Sequence, residues 1–136
     1  MAFTALFDAC VLYPAPLRGL LMHLALTNLF RARWSDRIHD EWTRNLLKNR
    51  PDLTPDQLQR TRSLMNAAVP DCLVTGFDQL IECIQIPDLH DRHVVAAAIV
   101  GRADVIVTMN IRDFPSDALA SYKIEAQHPD MFVQHL

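Results

Sequence analysis

The chain has 136 residues, half of them apolar and 21% charged, and a net charge of −3. Residues 1–136 therefore read as a single globular domain, long enough to fold without a disulfide or metal staple. With 3 Gly, 8 Pro and no short repeat, collagen-like, coiled-coil and low-complexity classes are excluded, and the acidic balance argues against non-specific nucleic-acid binding.

The run 2–7 is apolar and ends at Asp8, which predicts a buried strand. Leu17, Leu20, Leu21, Leu24, Leu29 and Phe30 recur at helical spacing and predict a helix over 16–30. Arg18, His23 and Asn28 interrupt its apolar stretch, so no membrane span is expected. Ser35 predicts the cap of a helix over 36–49, with Ile38, Trp42 and Leu46 as the buried stripe and Pro51 as the stop. Thr54-Pro55-Asp56-Gln57 predicts another helix start, running to about residue 69 before Pro70. Over 71–86 the pattern is ambiguous; a short strand at 72–74 and a short helix at 77–83 are expected. Asp88 or Asp91 opens a helix that ends at Gly101, the acids suiting the positive end of its dipole. Residues 104–109 (DVIVTM) predict a second buried strand, and 110–115 a loop. Ser116 is expected to cap a short helix, and 122–126 to form a third strand. Residues 128–136 open a further helix after Pro129, which leaves room for residues beyond Leu136. Helices alternating with buried, non-alternating strands predict an α/β layer fold with a parallel sheet.

No basic region precedes an apolar run at the start, so no signal peptide is expected. The three cysteines Cys10, Cys72 and Cys83 show no ligand spacing. They are expected to be reduced, buried small side chains in a cytoplasmic protein. Charge is uneven: residues 1–65 carry nine Lys/Arg against six Asp/Glu, and residues 66–136 four against ten. Such a split fits an electropositive flank beside an acidic pocket, and equally the ordinary solubility of helix surfaces.

Parallel sheets place ligands beyond the carboxyl ends of their strands. Asp8 ends the first strand, Asn110 and Asp113 follow the second, and Asp88 and Asp91 stand at the start of the helix that feeds it. Glu41 lies mid-helix at the margin of the buried stripe, where a solvated glutamate is also common. Several carboxylates in one pocket repel unless cations neutralise them. An all-oxygen donor set suits Mg²⁺ or Mn²⁺ rather than Zn²⁺. Such ions can clamp a phosphodiester and activate water.

Four stretches, FDACVL (7–12), WSDRIHDEWTRNL (34–46), PDLHDRHVVAAAI (87–99) and ADVIVTMNIRDFP (103–115), are weak singly. By their order and spacing the chain resembles the PIN-domain family of metal-dependent ribonucleases, which includes the VapC-like toxins. The resemblance implies a three-layer α/β/α sandwich with a central, mostly parallel sheet. It implies an acidic site that binds Mg²⁺ or Mn²⁺ and cleaves single-stranded RNA, a homodimer, and an antitoxin partner. By motif position Asp8 is the first acid, Glu41 the second and Asp91 the third. Asp113 is the fourth, with Asn110 as an orienter where some members carry a carboxylate. Asp8, Asp91 and Asp113 are the expected metal ligands. Thr108 is expected to bond Asp8 or a metal-bound water, and Asn45 to bond Glu41. Arg44 or Arg92 is expected at the phosphate, a salt bridge to a neighbouring acid being the plainer role. Asp88 reads as a helix cap alone.

The net acidic charge departs from the many basic VapC-like toxins and weakens the toxin reading more than the nuclease reading. Aspartyl-phosphate enzymes are disfavoured: Cys10 stands where a second Asp is needed, and no Lys follows Thr108. His90 and His93 lack a third supporting zinc ligand. His93 is expected to pack near the site and His90 to be exposed, with His23 and His39 on helix surfaces. A non-catalytic module binding RNA or protein is the alternative of a different class.

Overall fold

The structure, a computed structural model, describes residues 3–136. Ala2, where the first strand was expected to begin, lies outside the described residues. Four strands, β1 (Phe3–Phe7), β2 (Phe30–Arg33), β3 (Val105–Val107) and β4 (Glu125–Gln127), form one sheet in the order β2-β1-β3-β4. All three pairings are parallel. Among the described residues seven α-helices accompany them: α1 (Ala9–Leu12), α2 (Ala15–Ala25), α3 (Asp36–Asn49), α4 (Pro55–Ala68), α5 (Arg92–Val100), α6 (Ser116–Leu119) and α7 (Pro129–Gln134). The fold is the expected α/β sandwich, with helices covering a parallel sheet. Among the described residues, no helix is long and apolar enough to cross a membrane.

Strand β1 is central. Thr4, Ala5, Leu6 and Phe7 are all buried, as a strand covered on both faces requires. On one face Phe3, Phe7 and Phe30 gather around Phe132 of α7, whose ring lies 5.0 Å from that of Phe30, and Trp34 stacks on Phe7. Helix α5 is buried from His93 to Ala98. Its alanines bring it close to its neighbours, and Gly101 ends it where a Cβ would meet Val74 Cγ2 at 2.8 Å.

The helix expected over 16–30 stops at Ala25. Asn28 adopts a left-handed φ of 65° and turns the chain into β2. There Phe30, Ala32 and Trp34 are buried while Arg31 is exposed and Arg33 half-buried. The period of two in FRARW belongs to a strand; Leu29 and Phe30 fall at helical spacing from Leu26 by coincidence. The strand expected at 72–74 is reduced to a single bridge, Leu73 beside Trp34, and 77–83 forms a 3-10 helix, Asp78–Cys83. Pro115, not Ser116, holds the cap position of α6, and Tyr122 closes a 3-10 turn before the third expected strand, which starts at Glu125. Helices α3 and α4 begin as expected. Ser35 Oγ accepts from Ile38 N, and Thr54 with Gln57 forms a reciprocal capping box.

His39 is fully buried, not on a helix surface. The Trp42 indole N–H donates to its Nδ1 at 2.9 Å. The ring proton must therefore sit on Nε2, which donates to Asn66 Oδ1 at 3.0 Å. Asn66 Oδ1 also accepts from Trp34 Nε1 at 2.7 Å, so the network ties α3 to α4 and to the end of β2. Of the cysteines, only Cys72 is buried; Cys10 is half-buried and Cys83 exposed.

Candidate active site

The register of the central strands sets the site. Phe7 pairs with Val107, so the next residues, Asp8 and Thr108, stand side by side past the carboxyl ends of β1 and β3. Asp8 N–H donates to Val107 O at 3.0 Å. Thr108 Oγ1 donates to Asp8 Oδ2 at 2.9 Å, and Ala9 N–H donates to Asp8 Oδ1 at 2.8 Å. Asp8 thus caps α1 while buried, and burial raises its carboxyl above the usual range against those bonds. Cys10 reaches the same pair, with Sγ 3.6 Å from Asp8 Oδ2 and 3.5 Å from Thr108 Oγ1. Burial first, and Asp8 second, push its thiol up to about 11, so it is an unreactive neutral group. Arg18 anchors this corner: its guanidinium donates to Leu12 O and Tyr13 O and lies 4.7 Å over the Trp42 ring.

A second strand-end loop and the start of α5 supply the other acids. Asp88, Asp91 and Asp113 each direct a carboxylate oxygen to within 4.8 Å of the other two. Asp88 also accepts from His90 N–H at 2.9 Å, so it caps the turn and belongs to the acidic group. The spacing of three between Asp88 and Asp91, one helical turn, was the available signal. Burial raises the Asp91 carboxyl to about 7, with Asp8, Asp88, Asp113 and Glu41 adding repulsion. Asp8 is not one of the closely spaced trio, but it is the foremost charged neighbour acting on Asp91.

Glu41 is half-buried and faces His93, whose Nε2 lies 3.7 Å from Glu41 Oε1. His93 is buried, and its Nδ1 has no hydrogen-bond partner among the described residues. A proton there would be an unpaired buried donor, so in the neutral ring the proton belongs on Nε2, toward Glu41. Asn45, one turn on, makes no hydrogen bond to Glu41 among the described residues. Asn110 donates its backbone N–H to Thr108 Oγ1 at 3.1 Å, which fixes the loop that leads to Asp113. Arg44 borders a concavity of about 180 Å³ with Arg37, Glu41, His90 and His93. Arg92 folds back, its Nε donating to Leu89 O at 3.2 Å.

Chemically, this is a buried acid locked by hydrogen bonds, a carboxylate trio beside it, and a glutamate facing a histidine. The trio offers only carboxylate oxygens as donors, and its charges repel as they stand. That suits a hard divalent cation.

Three comparisons bear on this arrangement. A family model described as PIN domain matches residues 4–112. VapC50 of Mycobacterium tuberculosis, which carries the name of a ribonuclease, is 44% identical over 75 residues, covering 52% of this chain and 44% of that protein. The match thus spans less than half the length of that relative. Among solved structures, VapBC2 from Rickettsia felis bound to a promoter DNA fragment superposes with a TM-score of 0.56 at 16% identity, covering 93% of this chain and 98% of the other. At that identity the likeness is one of fold.

Proposed function

The chain belongs to the PIN domain family, and from that premise we propose that it is a Mg²⁺- or Mn²⁺-dependent endoribonuclease that hydrolyses phosphodiester bonds of single-stranded RNA. The observation that carries this reading is the convergence of Asp88, Asp91 and Asp113 to within 4.8 Å, with Asp91 raised to about 7. Asp91, Asp113 and Asp8 would hold the cation, with Asp88 as a further oxygen donor. When bound, such an ion supplies charge neutralisation at the phosphate and in the pocket.

The chain's own groups do the rest. Thr108 and the Ala9 N–H hold the Asp8 carboxylate in one orientation. His93 steadies one oxygen of Glu41 and leaves the other to take a proton from an attacking water. Arg44 is placed to offset charge that builds on the phosphate, since no ion pair occupies it among the described residues. Arg92 is turned to its own helix start and is the weaker candidate. The Asn110 backbone holds the loop that delivers Asp113.

The likeness to VapC50 and the shared fold with VapBC2 support a role as the toxin of a toxin–antitoxin pair, with an antitoxin protein as partner and the cytoplasm as its place of action. Exposed Leu20, Leu26 and Leu29, on and just after α2, support a homodimer through that face.

The test is cleavage of an unstructured RNA by purified protein. Mn²⁺ should give discrete products, EDTA should abolish them, and Asp91→Asn or Asp113→Asn should reduce the rate at least 100-fold. Equal cleavage by the wild type and both variants would overturn the assignment.

A further inference from the structure

Glu41, Asn45 and Asn49 follow one another at four-residue steps along α3, so they share one face, about 6 Å of rise apart. This face borders an open cavity of about 420 Å³, which Tyr13, Met109 and Asn110 also line. That volume lies within the range of small-ligand pockets. Apart from Glu41 at its edge, its polar groups are uncharged. Asn49 Nδ2 donates to Tyr13 Oη at 3.0 Å, which fixes the ring and leaves Asn49 Oδ1 and the tyrosine O–H free to bond. Among the described residues, the side-chain amides of Asn45 and Asn110 bond to no protein group.

The opposite flank of Glu41 differs in kind. Arg37, Arg44 and His90 line it together with Asp40, and Arg62, not either of these arginines, takes the carboxylates of Asp40 and nearby Asp36. A sugar–phosphate backbone is drawn to the guanidinium groups of Arg37 and Arg44, which no ion pair occupies among the described residues. An unpaired base offers something else, a flat face for stacking and an edge of mixed donors and acceptors. A tyrosine ring and amides, each with one acceptor oxygen and an NH₂ donor, match that offer, and the neutral cavity matches a base's lack of charge.

We propose that the cavity between Tyr13, Asn45, Asn49 and Asn110 is a nucleobase-recognition subsite that seats one unpaired RNA base beside the acidic trio. Tyr13 stacks on the base, Asn45 and Asn110 read its edge, and Asn49 keeps the tyrosine in place. Arg37 and Arg44 hold the backbone on the other side of Glu41. The position of the base relative to a cleaved bond rests on the ribonuclease reading; the binding of a base does not.

The test is calorimetric titration of the full chain, in Mg²⁺, with AMP, CMP, GMP, UMP and ribose 5-phosphate. One nucleotide should bind at least 10-fold more tightly than ribose 5-phosphate. Asn45→Ala combined with Asn110→Ala should bring the four nucleotides to within two-fold of one another. Tyr13→Leu should weaken all four at least five-fold and leave ribose 5-phosphate unchanged. Nucleotides that bind no tighter than ribose 5-phosphate, or a selectivity that survives the double asparagine variant, would overturn the proposal. Selective nucleotide binding by a protein that cuts no RNA would sink the ribonuclease reading and keep this one. RNA cleavage with no base selectivity in binding would do the reverse.

Discussion

Asp91→Asn should stabilise the cation-free protein. Burial and four neighbouring carboxyls displace Asp91 from 3.8 to about 7. At about 1.36 kcal/mol per pH unit, that displacement is worth roughly 4 kcal/mol at full strength. The side chain is only half-buried, and solvent screening leaves roughly 1–2 kcal/mol. For a chain of 136 residues this is a Tm rise of about 3–8 °C. The sign follows from proton linkage. Between pH 3.8 and about 7 the folded state keeps a proton that the unfolded state has released, so wild-type stability falls as pH rises through that window. Above it the full penalty is present, and below it this group makes no difference. Thermal unfolding in EDTA should therefore show Asp91→Asn above wild type at pH 8, with the gap closing toward pH 4. Saturating Mn²⁺ should reverse the order, since ligand at a hundredfold excess over its Kd adds about 2.7 kcal/mol to the protein that binds it. A variant less stable than wild type at pH 8 in EDTA, or a gap that ignores pH, would refute the reasoning.

Thr108→Val removes the hydroxyl that donates to buried Asp8; a loss of about 1–3 kcal/mol in urea unfolding and at least a tenfold fall in cleavage rate are expected. His39 titrates in the opposite sense to Asp91. Its burial holds it below the ordinary histidine range, so its contribution is complete above about pH 6.5 and is lost as pH falls below that. His39→Gln should remove that acid-side loss from the stability profile. His93→Leu removes the imidazole 3.7 Å from Glu41; the expectation is a kcat reduced about tenfold with KM little changed and the fold retained by circular dichroism.

Strand β1, helices α3 and α4 and the α5–β3 unit were readable because caps, prolines and apolar runs act locally. Strand β2 was not, since Leu29 and Phe30 happen to extend the helical spacing and Asn28 shows its left-handed turn only in three dimensions. His39 was misplaced because its burial depends on Asn66 and two tryptophans, and Asn66 lies on another helix. Within the site, the family resemblance implies a bond from Thr108 to Asp8 or to a metal-bound water, and Thr108 Oγ1 donates to Asp8 Oδ2. The second role of Asp88 was hidden by its first, as a cap satisfies the same carboxylate that faces Asp91 and Asp113. The approach of His93 to Glu41 joins helices distant in sequence and shows only in three dimensions.

Electron paramagnetic resonance of Mn²⁺ titrated into the full chain is the most direct measurement of whether the carboxylates hold a cation. At least one bound ion per chain is expected, lost in an Asp91→Asn, Asp113→Asn double variant that unfolds at no lower temperature than wild type. A spectrum of free Mn²⁺ alone at millimolar metal, or equal binding by the double variant, would contradict the account.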